Sequence, residues 1–318
     1  MLVLRADPWT PEFGMGFEPR ADEPPATVDA GVESAHWTDP VTPAPAPEGP
    51  VWFVDGVRRV ELRLLADLGE RRAPGLFGSY AVGAVRCDGR ASFDAHRVAR
   101  AVVVGAGLRP DPVEVAIGAE RLAFEPAAVT GEEPDAPLLG LQDMMRKAEG
   151  RLAASLASRD GELIVSDGPL TFFDSTAAAV VGVVKRTARR YLEPGHEALL
   201  GRLGPGQRTP VFALGDDERV RRYSWYARLV ALRSPWHDHA GVVRCEVRAG
   251  LGVEAAARIA DAVTNLLPRF AGRPSDPRAP QNLAPVGALE SWLRHRMGHP
   301  GVVRRALTQW LMAREGET

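Results

Sequence analysis

Residues 51–65, VWFVDGVRRVELRLL, decide how this chain folds. The stretch is rich in β-branched residues and alternates apolar with polar side chains, which predicts a strand, or a hairpin with a turn near Asp55–Arg58. The residues before it are rich in proline and acid, and proline removes amide donors that a sheet needs. The change at Val51 therefore predicts the start of the folded domain.

Further strands are predicted along the chain from the same kind of pattern. They are SYAVGAVRCDG at 79–89, ARAVVVGAG at 99–107, PVEVAIGAERLAFEPA at 112–127, ELIVSDGPL at 162–170, RVRRYSWYARLVAL at 219–232 and GVVRCEVRAG at 241–250. Short connections between the first of them favour an antiparallel β-meander. The segment 177–192, AAAVVGVVKRTARRYL, predicts a strand that is followed by either a turn or a helix.

Helices are predicted where apolar residues recur every three or four positions. Residues 138–161 show this spacing, with Gly161 as a plausible stop. Residues 252–270, 288–298 and 302–316 are also helical in pattern. The order of strands and helices predicts an α/β protein with a mixed sheet flanked by helices and with extra C-terminal helices.

Charge is distributed unevenly along the 318 residues, although the formal net charge is only −2. Residues 1–50 contain nine acidic and two basic side chains, a net of −7, so the remaining 37 basic and 32 acidic side chains give +5. This predicts three parts: an acidic, proline-rich arm at 1–50, a main domain at 51–300 and a helical tail at 301–318. A mildly basic domain is compatible with a polyanionic partner.

Cysteine content and hydropathy address the cellular setting. Cys87 and Cys245 are too few for a cysteine metal cluster, and they fit buried thiols in a reducing compartment better than a disulfide framework. No apolar run is long enough for a signal peptide or a membrane span. We therefore expect a cytoplasmic protein without a membrane partner.

Three acidic residues stand out by their context. Asp55 and Asp167 each follow a short apolar run and precede a glycine, and Glu149 lies in the helix between them, at the edge of its apolar face. Aspartates at the carboxyl ends of strands face the ligand-binding crevice of an open sheet. An Asp-Gly pair is equally typical of a tight turn, and a lone helical glutamate is typical of a solvated surface.

Converging carboxylates would form a site of hard oxygen ligands, which Mn²⁺ and Mg²⁺ prefer. Such an ion can activate water and offset charge on a phosphodiester. Asp55, Glu149 and Asp167 are therefore the candidate metal ligands.

Several motifs resemble those of the NurA family of nucleases. FVDGVRRVEL at 53–62 is similar to its first motif, and RKAEGRLA at 146–153 followed by ELIVSDGPL resembles its helix glutamate and second aspartate. VVGVVKR at 180–186 and RAPQNLAPVGALESWL at 278–293 resemble later family segments. The similarity covers roughly residues 50–297.

The resemblance implies an RNase H-like core and Mn²⁺-dependent cleavage of single-stranded DNA with 5′-to-3′ exonuclease action. It also implies a homodimer that works with the hexameric translocase HerA in DNA end processing. Carried over by position, Asp55, Glu149 and Asp167 would bind Mn²⁺ or Mg²⁺, and Lys185 would lie near the scissile phosphate.

One departure from the family concerns a histidine in the C-terminal helix that helps to bind metal. Gly287 stands at about that position here. His295 and His299 are candidates to replace it. The alternatives are a weaker or single-metal site, or oxygen ligands from Gln281 or Asn282.

Clustered basic residues are the candidate DNA contacts, because phosphate binding requires little more than clustered positive charge. They are Arg58, Arg59, Lys185, Arg186, Arg189 and Arg190. Tyr223, Trp225 and Tyr226 are candidates for base stacking, although alternating aromatics on a strand are also typical of a core. The tract WHDHAG at 236–241 offers His237 and His239 to one ion only if it is a strand, and we expect a loop.

Three functions remain open on the sequence. The first is a metal-dependent nuclease, and the second is a non-catalytic DNA-binding subunit of a translocase complex, which the missing histidine favours. The third, a phosphotransferase or ATPase, ranks last because the chain has no GxxxxGK[ST] loop.

Overall fold

The structure is a computed structural model, and it describes residues 3–6, 27–45, 49–157, 162–171, 179–185, 190–215, 221–231, 238–272 and 282–315. The strands are β1 (Val3–Ala6), β2 (Val28–Asp29), β3 (Val51–Leu68), β4 (Arg71–Asp88), β5 (Arg90–Val104), β6 (Val113–Ile117), β7 (Glu120–Ala128), β8 (Leu163–Asp167), β9 (Val180–Val184), β10 (Phe212–Leu214), β11 (Arg222–Arg228) and β12 (Val242–Arg248). The α-helices are α1 (Ala136–Ala157), α2 (Pro194–Arg202), α3 (Val253–Leu266), α4 (Ala284–Arg296) and α5 (Pro300–Glu315).

The described strands form one large mixed sheet. Its order is β2–β10–β11–β12–β9–β8–β3–β4–β5–β7–β6, and β1 pairs with β3. The pairs β3–β8, β8–β9 and β5–β7 are parallel, and the other pairs are antiparallel. The prediction of a mixed sheet flanked by helices is confirmed.

Two short strands, β8 and β1, pair with different parts of the same edge of the long strand β3. β8 pairs with it as far as Val54, and β1 pairs with residues 64–67. Over residues 55–63, β4 is therefore the only strand neighbour of β3 in the described part of the chain. Asp55 is the first residue of β3 beyond the end of this parallel pairing.

The two faces of the sheet near Asp55 are covered by different helices. Trp52 and Val54 pack in a cluster with α1, whereas Phe53 and Val57 pack in a cluster with α3 and α4. Because successive side chains of a strand point to opposite faces, Asp55 belongs to the face that α4 covers.

Of the two local structures that the sequence pattern allowed at Asp55, the structure shows the strand. No hairpin turn occurs near Asp55–Arg58, since β3 continues to Leu68 and its turn contains Gly69 with φ 61°. The chain stays extended there because both faces of β3 are buried under helices, which an isolated Asp-Gly pair does not reveal. The other segments predicted as strands contain strands, and the four predicted helices are present, with Gly161 outside the described residues.

The described segments near both ends of the sequence belong to the same sheet and core. β1 and β2 are strands of the sheet, Trp37 is buried, and Arg208 is bound by Glu33 at 2.8 Å. Helix α5 packs on Leu62 and Phe77 of the long hairpin. The described parts of 1–50 and 301–318 are thus integrated with 51–300. None of the described helices is long and apolar enough to cross a membrane.

Candidate metal centre

Asp55 and Asp167 lie side by side at the end of the parallel strands. The last recorded pair of β3 and β8 is Val54 with Ser166, so the next residue of each strand is an aspartate. Val165 shares the cluster of Phe53 beneath α3 and α4, so both aspartates point to the α4 face. The expectation that these two aspartates meet is therefore met by the register.

Helix α4 adds a third carboxylate that the sequence did not single out. Asp55, Asp167 and Glu290 each offer an oxygen, and these oxygens lie within 4.8 Å of one another. Asp55 and Glu290 are 4% and 9% exposed, whereas the Asp167 side chain is 20% exposed. This group can hold a cation, and it is open to solvent on the Asp167 side.

Glu149 reaches the same region from the opposite face of the sheet. It extends from α1, is 3% exposed, and is close enough to raise the pKa of Asp55 through its charge. It is not part of the compact group of three carboxylates. The structure therefore brings the predicted residues Asp55, Asp167 and Glu149 together, with Glu149 approaching from beneath.

The approach of Glu149 depends on the glycine that follows Asp55. A Cβ atom added to Gly56 would lie 2.5 Å from Glu149 Oε1 and 2.9 Å from Met145 Cγ. Since Gly56 is in regular strand, it is required here for space and not for an unusual backbone angle. The glycine of this Asp-Gly pair thus makes room for a carboxylate.

Replacing Gly56 with alanine is expected to lower the free energy of unfolding by about 1–3 kcal/mol, because the added methyl overpacks the contact with α1. Urea denaturation measures the change. The matched control is Gly195→Ala, where a Cβ meets nothing within 4 Å and no loss is expected. Equal unfolding midpoints for both variants would show that a methyl group at position 56 does not destabilise the protein through its contact with Glu149.

Burial and mutual repulsion alter the acidity of these groups. Burial, followed by the charges of Asp167 and Glu149, raises the pKa of Asp55 well above its usual range, and Lys185 opposes this. Burial also raises the pKa of Glu149, against the effect of Arg146. Without a cation, ionising all of these carboxylates together is therefore unfavourable.

Two buried carboxylate oxygens indicate that the site suits a cation. Asp55 Oδ2 makes no hydrogen bond within the described residues. Glu149 Oε1 makes none of good geometry there, although the backbone N–H of Gly56 acts on the Glu149 carboxylate and lowers its pKa. Buried polar atoms are nearly always satisfied, so such oxygens require an explanation. A divalent cation prefers oxygen ligands of this kind, and the residues present fit such an ion.

Lys185 connects the ends of three elements. It follows β9, and its Nζ lies 2.9 Å from the Asp167 carboxylate and 3.1 Å from Asn282 Oδ1. Asn282 is buried and lies two residues before the start of α4. The predicted proximity of Lys185 to Asp167 is observed, and Asn282 acts as a partner of the lysine.

The loop after Asp167 is held from both sides. Arg146 Nη1 donates to the Asp167 carbonyl oxygen at 2.7 Å, and Leu170 N donates to Glu246 Oε1 at 2.8 Å. Glu246 is fully buried, and Arg244 and Arg222 outweigh its burial and lower its pKa. These partners fix the position of Asp167. Sequence reasoning singled out neither Arg146 nor Glu246, although Arg146 begins the quoted segment RKAEGRLA.

The predicted DNA contacts have different environments. Arg58 donates to Gln142. Arg59 is bound by Glu61 at 2.7 Å and by the carbonyl oxygen of Gly298 at 2.9 Å, so it is engaged at the end of α4. Arg190 is exposed and lies 3.3 Å from Glu197. Arg186 and Arg189 lie outside the described residues.

The remaining candidates lie away from the carboxylates or in the core. Trp225 and Tyr226 are buried, and Tyr223 packs on the same core, as the alternative interpretation predicted. His295 and His299 are exposed. His239 lies in a turn before β12, in agreement with the predicted loop, and His237 and Gln281 are outside the described residues.

Glu290 was detectable in principle. Val286, Leu289 and Leu293 form the buried face of α4, and Glu290 lies beside that face, three residues after Gly287. Buried acidic residues are rare and usually paired, and here Arg294 Nη2 donates to Glu290 Oε2 at 2.9 Å.

No family model matches this chain, and no curated protein matches it in sequence.

Proposed function

We propose that this chain is a divalent-metal-dependent nuclease that hydrolyses phosphodiester bonds in DNA. The observation that carries the proposal is the compact group of Asp55, Asp167 and Glu290, whose oxygens lie within 4.8 Å of one another beside Lys185. Buried carboxylates next to a lysine and an opening to solvent combine a cation site with a phosphate contact.

The roles follow from the positions of the side chains. Asp55, Asp167 and Glu290 would hold Mn²⁺ or Mg²⁺, and Glu149 would add its oxygen from the other face of the sheet. When bound, such an ion acidifies water and offsets negative charge on a phosphodiester. Lys185 donates to a phosphate oxygen, and its charge stabilises the transition state.

The topology supports an RNase H-like core. The order β5–β4–β3–β8–β9 consists of an antiparallel meander followed by two parallel strands, with the acidic residues where β8 ends. Together with the motif resemblance, this supports a NurA-like enzyme that cleaves single-stranded DNA with 5′-to-3′ polarity, as a cytoplasmic homodimer, with a HerA-type translocase in DNA end processing.

Glu290 helps to choose between a nuclease and a non-catalytic DNA-binding subunit. Gly287 in place of the family histidine favours a non-catalytic DNA-binding subunit, whereas a carboxylate from the same helix at the metal site favours an intact nuclease.

The test uses the purified full-length chain and single-stranded DNA labelled at either end. Cleavage is expected with Mn²⁺ or Mg²⁺ and not with EDTA, and the order of product lengths gives the polarity. DNA binding without cleavage in either metal would favour the scaffold function. ATP turnover by the isolated chain would favour a phosphotransferase instead.

A further inference from the structure

The candidate site has a defined opening. The carboxylates of Asp55, Glu149 and Glu290 are buried, whereas the side chains of Asp167, Lys185 and Arg146 are 20%, 20% and 29% exposed. Among the described residues of this group, these three side chains are therefore the ones that a ligand can reach, and two of them are cations.

Arg146 and Lys185 flank Asp167 from different elements. Lys185 follows β9 and binds the carboxylate of Asp167, and Arg146 extends from α1 and binds the carbonyl oxygen of the same residue. The two cations are thus held by one residue at the end of β8.

The guanidinium of Arg146 has N–H donors that its bonds to described residues do not use. Its bonds to Glu149 Oε2 at 2.9 Å and to the Asp167 carbonyl oxygen at 2.7 Å both come from Nη1. A guanidinium carries five N–H donors, and Nε and Nη2 of Arg146 donate to no other described residue. Those donors remain for a ligand at the opening.

Gly168 keeps the space beside Asp167 open for this guanidinium. Its φ is 98°, and a Cβ atom there would lie 2.8 Å from Arg146 Nη1 and 3.1 Å from Nη2. Any side chain at 168 would therefore both strain the backbone and displace Arg146.

We propose that Arg146 and Lys185 form a phosphate seat across Asp167, in which Arg146 binds the strand that is to be cleaved. The seat rests on the proposed function. The planar fork of an arginine donates two parallel hydrogen bonds to a phosphate, which a lysine cannot do. The ligand class is a phosphodiester of a nucleic acid, bound through its non-bridging oxygens.

The competing explanation is that Arg146 only neutralises the buried Glu149 and positions Asp167. A phosphate contact differs from this in its salt dependence. For single strands, each phosphate contact contributes about 0.7 to the slope of log binding constant against log salt concentration. A purely structural arginine contributes nothing to that slope.

The first test measures binding of a fluorescent oligodeoxythymidylate to Asp55→Asn protein, which is not expected to cleave it. Adding Arg146→Gln should weaken binding roughly tenfold and lower the salt slope by about 0.7. The control is Arg151→Gln, which removes an exposed arginine from the same helix and should leave both values unchanged. An unaltered salt slope with Arg146→Gln would overturn the seat.

The second test measures steady-state cleavage by Arg146→Lys, which retains the charge and keeps the proposal testable through KM if Arg146→Gln does not fold. We expect KM to rise several-fold while the thermal shift produced by Mn²⁺ stays as in the wild type. A fall in kcat and in the Mn²⁺ shift at constant KM would assign Arg146 to positioning alone. A wild-type chain that cleaves no DNA would refute the proposed function, whereas the binding test would still decide the seat.

Discussion

Replacing Asp55 with asparagine is expected to reduce DNA cleavage by more than about 100-fold, since even residues that only orient metal ligands contribute 10–100-fold. Asp55 lies at the centre of the group, where the charges of Asp167, Glu149 and Glu290 all act on it. An amide in its place removes the charge that attracts the cation and keeps the shape of the side chain. The initial rate of cleavage with Mn²⁺ measures the loss.

The same substitution is expected to stabilise the metal-free protein at neutral pH. Burial and neighbouring carboxylates raise the pKa of Asp55, so the folded protein holds this proton more tightly than the unfolded chain does. The resulting stabilisation is present at low pH and is lost as the pH rises through the raised pKa. The wild-type Tm should therefore fall over that range more than the Tm of Asp55→Asn.

Without metal, Asp55→Asn is expected to have the higher Tm at neutral pH, and Mn²⁺ should give the wild type the higher Tm. A ligand at 100 times its Kd stabilises a protein by about 2.7 kcal/mol, so Mn²⁺ should raise the wild-type Tm and leave that of Asp55→Asn nearly unchanged. Asp111→Asn, an exposed aspartate, is the control and should behave as the wild type. If Asp55→Asn cleaves DNA at the wild-type rate, the assignment of this centre is wrong.

Replacing Glu290 with glutamine is expected to have the second largest effect, again a loss of about 100-fold or more in cleavage. Glu290 is 9% exposed and is the only member of the compact group that comes from a helix. The variant should also bind Mn²⁺ more weakly, because one of three charged oxygen ligands becomes neutral. Isothermal titration with Mn²⁺ and the cleavage rate together measure the effect.

Glu254→Gln serves as the matched control, since Glu254 is an exposed glutamate near the start of α3. It should retain both Mn²⁺ affinity and activity. If Glu290→Gln also retains wild-type Mn²⁺ affinity, Glu290 is a bystander, and the cation site reduces to the two aspartates with Glu149. The two glutamates can then be separated by Glu149→Gln under the same conditions.

Sequence reasoning identified Asp55 and Asp167 because each follows a short apolar run, whereas Lys185 was identified from the motif resemblance and from the basic run that it begins. A local pattern is enough to find the two aspartates, because the carboxyl ends of strands in an open sheet line the ligand-binding crevice. It left a strand and a hairpin open at β3, where burial by helices on both faces favours the strand, which continues to Leu68. Helical spacing placed Glu149 at the edge of the apolar face of α1, and the structure shows it buried.

Glu290, Arg146 and Glu246 were missed for one physical reason. Each acts on Asp55 or on the Asp167 loop from an element that is distant in sequence, and its partner is set by how that element packs. Glu246, for example, meets Leu170 only because β12 lies beside β9 in the sheet. No spacing within a single segment reports such a contact.

The amino-acid sequence by itself indicated most of the strands and helices and the two aspartates at the ends of apolar runs, because these depend on residues near one another in the chain. It did not indicate β1, β2, β10 or α2. Only the tertiary structure decided which carboxylates converge and from which face. Packing of α4 onto one face and α1 onto the other places Glu290 within 4.8 Å of the aspartates and brings Glu149 in beneath Gly56. Such positions result from burial of whole apolar faces, to which residues throughout the chain contribute.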